Sequence, residues 1–173
     1  MGKFKNKILS ILIILIFCMT VISSNAYSNQ PYGWPTTYIP IRDATSSRYT
    51  QVVKNSIKAW NKAVPGVYFY LDKNAPNTIY SGNYKDSWIG YYSYYTKNNK
   101  TYKFNIYLNN RLLSKRSFNY KQSTLVHELG HALSLADNPP DSPSIMRYDR
   151  NRNVLIAPTA DDKAGVKKHY KLK

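Results

Sequence analysis

The sequence predicts a single α/β domain of the α+β type, and three observations carry that expectation. Runs of tyrosine, threonine and β-branched residues recur as short strands over much of the stretch between residues 37 and 108. Apolar residues at helical spacing appear in a stretch before most of those runs and in two stretches after them. The resulting order is strand, helix, four strands, helix, irregular segment, helix, with no internal repeat.

The chain opens with a segment of a different kind. Lys3, Lys5 and Lys7 precede an almost unbroken apolar run from Ile8 to Ile22, and Ser24-Asn25-Ala26 ends it with small residues. That pattern reads as a secretory signal peptide cleaved after Ala26, which places the protein outside the cell. A retained membrane anchor is the alternative, but the run is short for a span of roughly 20 residues. The domain then occupies residues 27–173, about 147 residues, enough for a core of its own. Cys18 is the only cysteine and falls in the leader, so the exported chain has no disulfide.

Of 25 Lys and Arg, three lie in the leader, leaving 22 against 9 Asp and Glu, a net charge of +13. Such a balance gives general affinity for anionic surfaces: wall polymers, acidic glycans or lipids. No nucleic-acid motif accompanies it.

The elements follow in order. Thr37 to Ile41 forms a strand in which Pro40 predicts an irregular or partly unpaired stretch. Thr45-Ser46-Ser47 can cap a helix whose buried stripe is Val53, Ile57, Trp60 and Val64, stopped by Pro65-Gly66. Val67–Leu71, Thr78–Tyr80, Ser87–Tyr95 and Tyr102–Leu108 are strands separated by polar turns. A helix runs from Phe118 to Ser134 with Leu125, Leu129, Ala132 and Leu133 inward. Asn138-Pro139-Pro140-Asp141 breaks the chain, and Thr159 with Asp162 forms a capping box for a last helix toward Tyr170.

The chemistry lies in HELGHALSLAD, residues 127–137. Residues four apart share a helix face, so His127 and His131 can hold one ion. Glu128 stands beside that ion, where a base for an activated water is needed. Three histidines and one glutamate are all the chain has, so their convergence is not casual. Catalytic zinc takes three protein ligands and keeps one position open. No glutamate follows Glu128, which excludes a third ligand of that kind. Asp137, Asp141, Asp149, Asp161, Asp162 and His169 remain. Asp161 and Asp162 also suit the first turn of a helix as negative charges, and His169 lies near a terminus.

HELGHALSLAD resembles the extended motif of the metzincin zinc proteases, in which the chain turns back after the helix and places a ligand six residues beyond the second histidine. Small secreted bacterial members similar to snapalysin use aspartate there, which implies His127, His131 and Asp137 as ligands of one catalytic zinc. Ser144-Ile145-Met146-Arg147-Tyr148 resembles the family's Met-turn, with Met146 structural. Ala59-Trp60-Asn61 and Asp161-Asp162 resemble the matrixin-like branch. The resemblance implies a metzincin-like zincin: a twisted five-stranded mixed sheet, a backing helix, an active-site helix, and a small C-terminal subdomain with the Met-turn and one helix. It also implies a secreted zinc endopeptidase, a monomer, with Glu128 as base and Tyr148 as an oxyanion donor beside the metal. Its peptide substrate would lie extended along the Ser87–Tyr95 edge, with Arg147, Arg150 and Arg152 shaping the pocket after the scissile bond.

Ser134 departs from that pattern, since it stands where the motif has glycine. If the turn needs positive φ, serine costs about 1 kcal/mol or more. The calcium-binding and cysteine-switch features of matrixins have no counterpart here. The competing reading is a secreted basic module that adheres to wall polymers or glycans with zinc only structural. A membrane-active cationic protein ranks below it for want of a long amphipathic helix.

Overall fold

The computed structural model describes residues 27–173. The expected leader over 1–26, with its cleavage site and Cys18, lies outside the described residues. Five strands form one mixed sheet: β1 (Tyr38–Ala44), β2 (Tyr68–Leu71), β3 (Thr78–Gly82), β4 (Gly90–Lys97) and β5 (Lys100–Asn109). Their order is β2-β1-β3-β5-β4, parallel except for the antiparallel β4–β5 pair, so β4 is an edge. Among the described residues the longer helices are α1 (Thr50–Ala63), α2 (Phe118–Ala132) and α3 (Ala160–Tyr170), besides a 3-10 turn at Ser47–Tyr49 and a single helical turn at Asn110–Leu113.

Alternation along the strands assigns the two faces of the sheet. Ile39, Ile41, Phe69, Ile79, Phe104, Ile106 and Leu108 are buried and join the core formed with α1 and α2. The opposite face carries most of the strand tyrosines, which pair across strands, while Tyr92 and Tyr94 share the core face. Tyr80 stacks on Tyr107 at 5.4 Å and Tyr107 on Tyr91 at 6.3 Å, while Tyr38 meets Tyr68 at 5.7 Å. Cross-strand aromatic pairs of this kind each stabilise a sheet by about 0.2–1 kcal/mol.

Pro40 sits where β1 is paired on one side. Tyr38–Ile41 bond to β2, whereas the β1–β3 pairing begins only at Arg42. The proline's missing N–H therefore falls at a gap, and the buried Asn77 fills it by donating its side-chain amide to the Pro40 carbonyl at 3.1 Å.

Trp60 fastens α1 to α2. It is fully buried and its indole N–H donates to the Val126 carbonyl at 2.8 Å. Replacing it with alanine would cost about 3–5 kcal/mol. Its neighbour Asn61 clamps β2, donating to Phe69 O and accepting from Phe69 N, both at 2.8 Å.

Several boundaries shift by one to three residues from expectation, and two of the shifts bear on the site. β4 begins at Gly90, because Asn109 donates to the Asp86 and Trp88 carbonyls and holds that approach as a turn. α2 ends at Ala132, before Ser134. The capping box of α3 is present, with Thr159 and Asp162 bonded reciprocally. Among the described residues no helix is long and apolar enough to cross a membrane.

Candidate metal centre

Ser117 caps α2, accepting from the Tyr120 N–H, and from Gln122 to Gly130 every residue of the helix is buried. His127, Glu128 and His131 therefore stand on a rigid element packed on both sides. The helix closes with Ser134 N–H donating to His131 O and Leu135 N–H to Gly130 O, each at 3.0 Å. That pair of bonds is a Schellman motif, whose left-handed position usually holds glycine. Ser134 occupies it with φ of 66°, so the serine bears the strain the sequence anticipated.

The turn is held in place from outside the helix. Gln30 N–H donates to Ser134 O at 2.8 Å, Ala136 N–H to Ser28 O at 2.8 Å, and Trp34 N–H to Ala132 O at 2.7 Å. Ser28 N–H bonds Asn138 Oδ1 at 3.2 Å. Gly33 presses on Ser134 so closely that a Cβ there would lie 2.1 to 2.7 Å from its Oγ, N and Cα. A chain segment one hundred residues away thus fixes where Asp137 stands.

Both imidazoles turn Nδ1 toward backbone. His127 Nδ1 lies 3.0 Å from Ile145 O, and His131 Nδ1 lies 2.9 Å from Leu135 O. A carbonyl only accepts, so each Nδ1 carries a proton. Both Nε2 atoms then face one oxygen, Asp137 Oδ1, at 3.1 and 3.6 Å. Burial pushes His127 down to about 4 and lowers His131 as well, so both rings are neutral at neutral pH. A neutral ring protonated at Nδ1 offers only a lone pair at Nε2, and a lone pair 3.1 Å from a carboxylate oxygen is repelled. A cation among the three groups removes that conflict. One ligand atom from each of His127, His131 and Asp137 lies within 4.8 Å of the others. Two imidazoles and a carboxylate suit zinc.

Glu128 is buried at the start of β4. A Cβ at Gly90 would come within 2.4 Å of Glu128 Oε1, so this glycine is the space the carboxylate needs. Burial, then repulsion from Asp137, raises the Glu128 carboxyl to about 8. The cleft in front of these residues is lined also by Gln30, Gly90, Tyr91, Tyr92 and Tyr94.

The remaining candidates are placed elsewhere. Asp162 is fully buried and ties the last helix to the loop behind the site. It accepts from Ser144 Oγ, from Ile145 N–H at 2.9 Å, and from Thr159 N–H at 2.7 Å. Asp161 accepts from Tyr27 N–H at 3.2 Å and Asn138 Nδ2 at 3.4 Å. Asp149 pairs with Arg147 at 2.9 Å, Asp141 is exposed, and His169 packs edge-on against Tyr170. None of them joins the His127–His131–Asp137 group.

Met146 lies against α2 at Gly130. A Cβ on Gly130 would be 2.3 Å from its sulfur. Tyr148, expected beside the metal, is 59% exposed and is not among the residues lining the cleft. The arginines also depart from expectation. Arg150 is buried behind His127, donating to Ser123 Oγ and O at 3.1 and 2.9 Å and to Arg147 O at 2.7 Å. Its Nη1 is 3.2 Å from His127 Nδ1. That guanidinium charge adds to burial in opposing protonation of the ring. Arg152 stacks over Tyr120. Neither these two nor Arg147 lines the cleft.

Sequence reading missed Gln30, Gly33 and Gly90. Only Gly90 left a signal, a glycine beginning a tyrosine-rich edge strand.

No family model and no curated protein matches the chain. Solved structures do. A chain of the GM1-bound form of the ECX AB5 holotoxin is similar at 15% identity, covering 84% of this chain and 85% of that one, with a TM-score of 0.56. High choriolytic enzyme 1, a hatching-enzyme zinc protease from the medaka fish Oryzias latipes, is similar at 16% identity. That alignment covers 90% of this chain and 99% of the other, with a TM-score of 0.49. At 15% identity the first likeness is one of fold alone, and the second is looser still.

Proposed function

We propose that the protein is a secreted, metal-dependent endopeptidase of the metzincin type, with His127, His131 and Asp137 holding one zinc. One observation carries this reading: one ligand atom each from His127, His131 and Asp137 converges within 4.8 Å, with both Nδ1 atoms turned away to carbonyls, the arrangement of a three-ligand cation site. A zinc ion there would supply Lewis-acid polarisation of a carbonyl and acidify a water.

The chain's own residues supply the rest. The β4 edge has free backbone groups that can pair with an extended peptide. At the start of that strand Glu128 lies over Gly90, placed to take a proton from the attacking water and hand it to the departing amine. Ile145 and Leu135 carbonyls hold the two rings in the ligating tautomer. Tyr148 receives no step.

Glu128→Ala tests the reading against that of a basic adhesive module. Peptide hydrolysis should fall by about 10²–10⁴ while bound metal persists. A wild-type protein carrying one zinc that cleaves no peptide library would favour the module.

A further inference from the structure

The wall of the cleft beyond His131 is made of aromatic rings. Tyr92 lies 5.8 Å from the His131 ring, Tyr94 lies 6.1 Å from Tyr92, and Tyr32 stacks on Tyr94 at 4.3 Å with planes 7° apart. Tyr92 and Tyr94 belong to β4, on the face turned toward α2, whereas Tyr32 arrives from the segment before β1. Tyr92 and Tyr94 line the cleft beside a candidate ligand, and Tyr32, itself not a lining residue, stacks on Tyr94.

Tyr32 is held more firmly than packing of its ring requires. Its carbonyl accepts from Tyr92 Oη at 2.8 Å and from Thr101 Oγ1 at 3.0 Å, which fills both lone pairs. Gly33 is pressed against Ser134, and Trp34 N–H is bonded to Ala132 O. Tyr92 spends its hydroxyl on this anchorage, so what it offers the cleft is ring. Tyr32 and Tyr94 stay 40% and 39% exposed despite stacking on each other. A fixed aromatic surface left partly open next to a cleft is a surface for another flat apolar group.

We propose that Tyr92 and Tyr94, extended by Tyr32 stacked on Tyr94, form a substrate subsite that takes an aromatic side chain of the bound peptide. The proposal rests on the endopeptidase reading above. An extended peptide advances about 3.3 Å per residue, so two ring-to-ring steps place this side chain about two to four residues from the scissile bond, on one side only. Specificity therefore resides in the tyrosine wall, and Arg147, Arg150 and Arg152 stand apart from it.

The test is cleavage of a randomised peptide library by the zinc-loaded protein, compared with Tyr94→Ala, Tyr32→Ala and Tyr94→Phe. Wild type should enrich Phe, Tyr or Trp about tenfold over Ala at one position in that window. Both alanine variants should bring the ratio close to one, and Tyr94→Phe should restore it because the ring is what binds. Cleavage without aromatic enrichment in the window overturns the subsite and leaves the endopeptidase reading standing. So does a profile unchanged in Tyr94→Ala when only its melting temperature falls, since the stack would then merely anchor the segment. Absence of any wild-type cleavage removes the endopeptidase reading and the subsite together.

Discussion

The two halves of the candidate centre are built on opposite plans. His127 and His131 stand one turn apart, with Glu128 beside the first, on a helix buried on nearly every face, and each histidine takes its orientation from a carbonyl of the segment that follows the helix. Asp137 stands on a turn with a strained serine, its side chain 61% exposed, and the turn is fastened by residues 28–34. The first half is held by local periodicity and core packing. The second is held by backbone hydrogen bonds to a segment about a hundred residues distant. A motif that reads as continuous along the chain is therefore assembled from two sources, and each can be damaged separately.

The largest effect should come from the helix half. His127→Ala should lose metal and bring hydrolysis to background, because the remaining pair cannot replace an inward Nε2; metal content and peptide turnover check this together. Trp60→Ala, which loosens α1 from α2, should cost about 3–5 kcal/mol in denaturant unfolding.

Gly33→Ala should act on the turn half alone. A methyl within 2.7 Å of three Ser134 atoms must displace the turn, costing about 1–3 kcal/mol and weakening metal binding roughly 10–100-fold. If metal affinity were unchanged, the segment would brace the fold without positioning Asp137.

A pH comparison probes Glu128 in the metal-free protein. Its folded value is raised to about 8 from an ordinary 4.5, so its contribution is fully present below about 4.5 and is lost as pH rises through 8. Glu128→Gln lacks that loss. Metal-free Glu128→Gln should match wild type at pH 4 and exceed it by roughly 3–5 kcal/mol at pH 8.5, read from thermal melts. The depressed values of His127 and His131 run the other way, destabilising both proteins as pH falls below 6.5, and so cancel in the comparison.

The smallest effect is at Ser134. Glycine there removes the positive-φ penalty and should leave the protein at or above wild-type stability, by up to about 1 kcal/mol. A loss larger than that would mean the serine side chain outweighs the strain.

The same division explains what was legible beforehand. His127, Glu128 and His131 could be read at once because helical spacing is local, and the strands because tyrosine and β-branched residues alternate. Ser134 was legible as a problem, and its positive φ is the answer. The start of β4 was misplaced because Asn109 bonds the Asp86 and Trp88 carbonyls, a contact no window around Ser87 contains. Gln30 and Gly33 were invisible for the same reason. Arg150 was expected at the pocket because the resemblance implied it there, yet Ser123 and the Arg147 carbonyl satisfy it inside. The C-terminal acids were ambiguous until Asp162 was found bonding Ser144, Ile145 and Thr159.

The measurement that bears most directly on the metal centre is zinc per chain, by mass spectrometry after exhaustive dialysis, for wild type, Asp137→Ala and Asp161→Ala. One zinc in wild type and in Asp161→Ala, with little or none in Asp137→Ala, is the expected result. Zinc retained by Asp137→Ala and lost from Asp161→Ala would contradict the assignment of the turn as the third arm of the site.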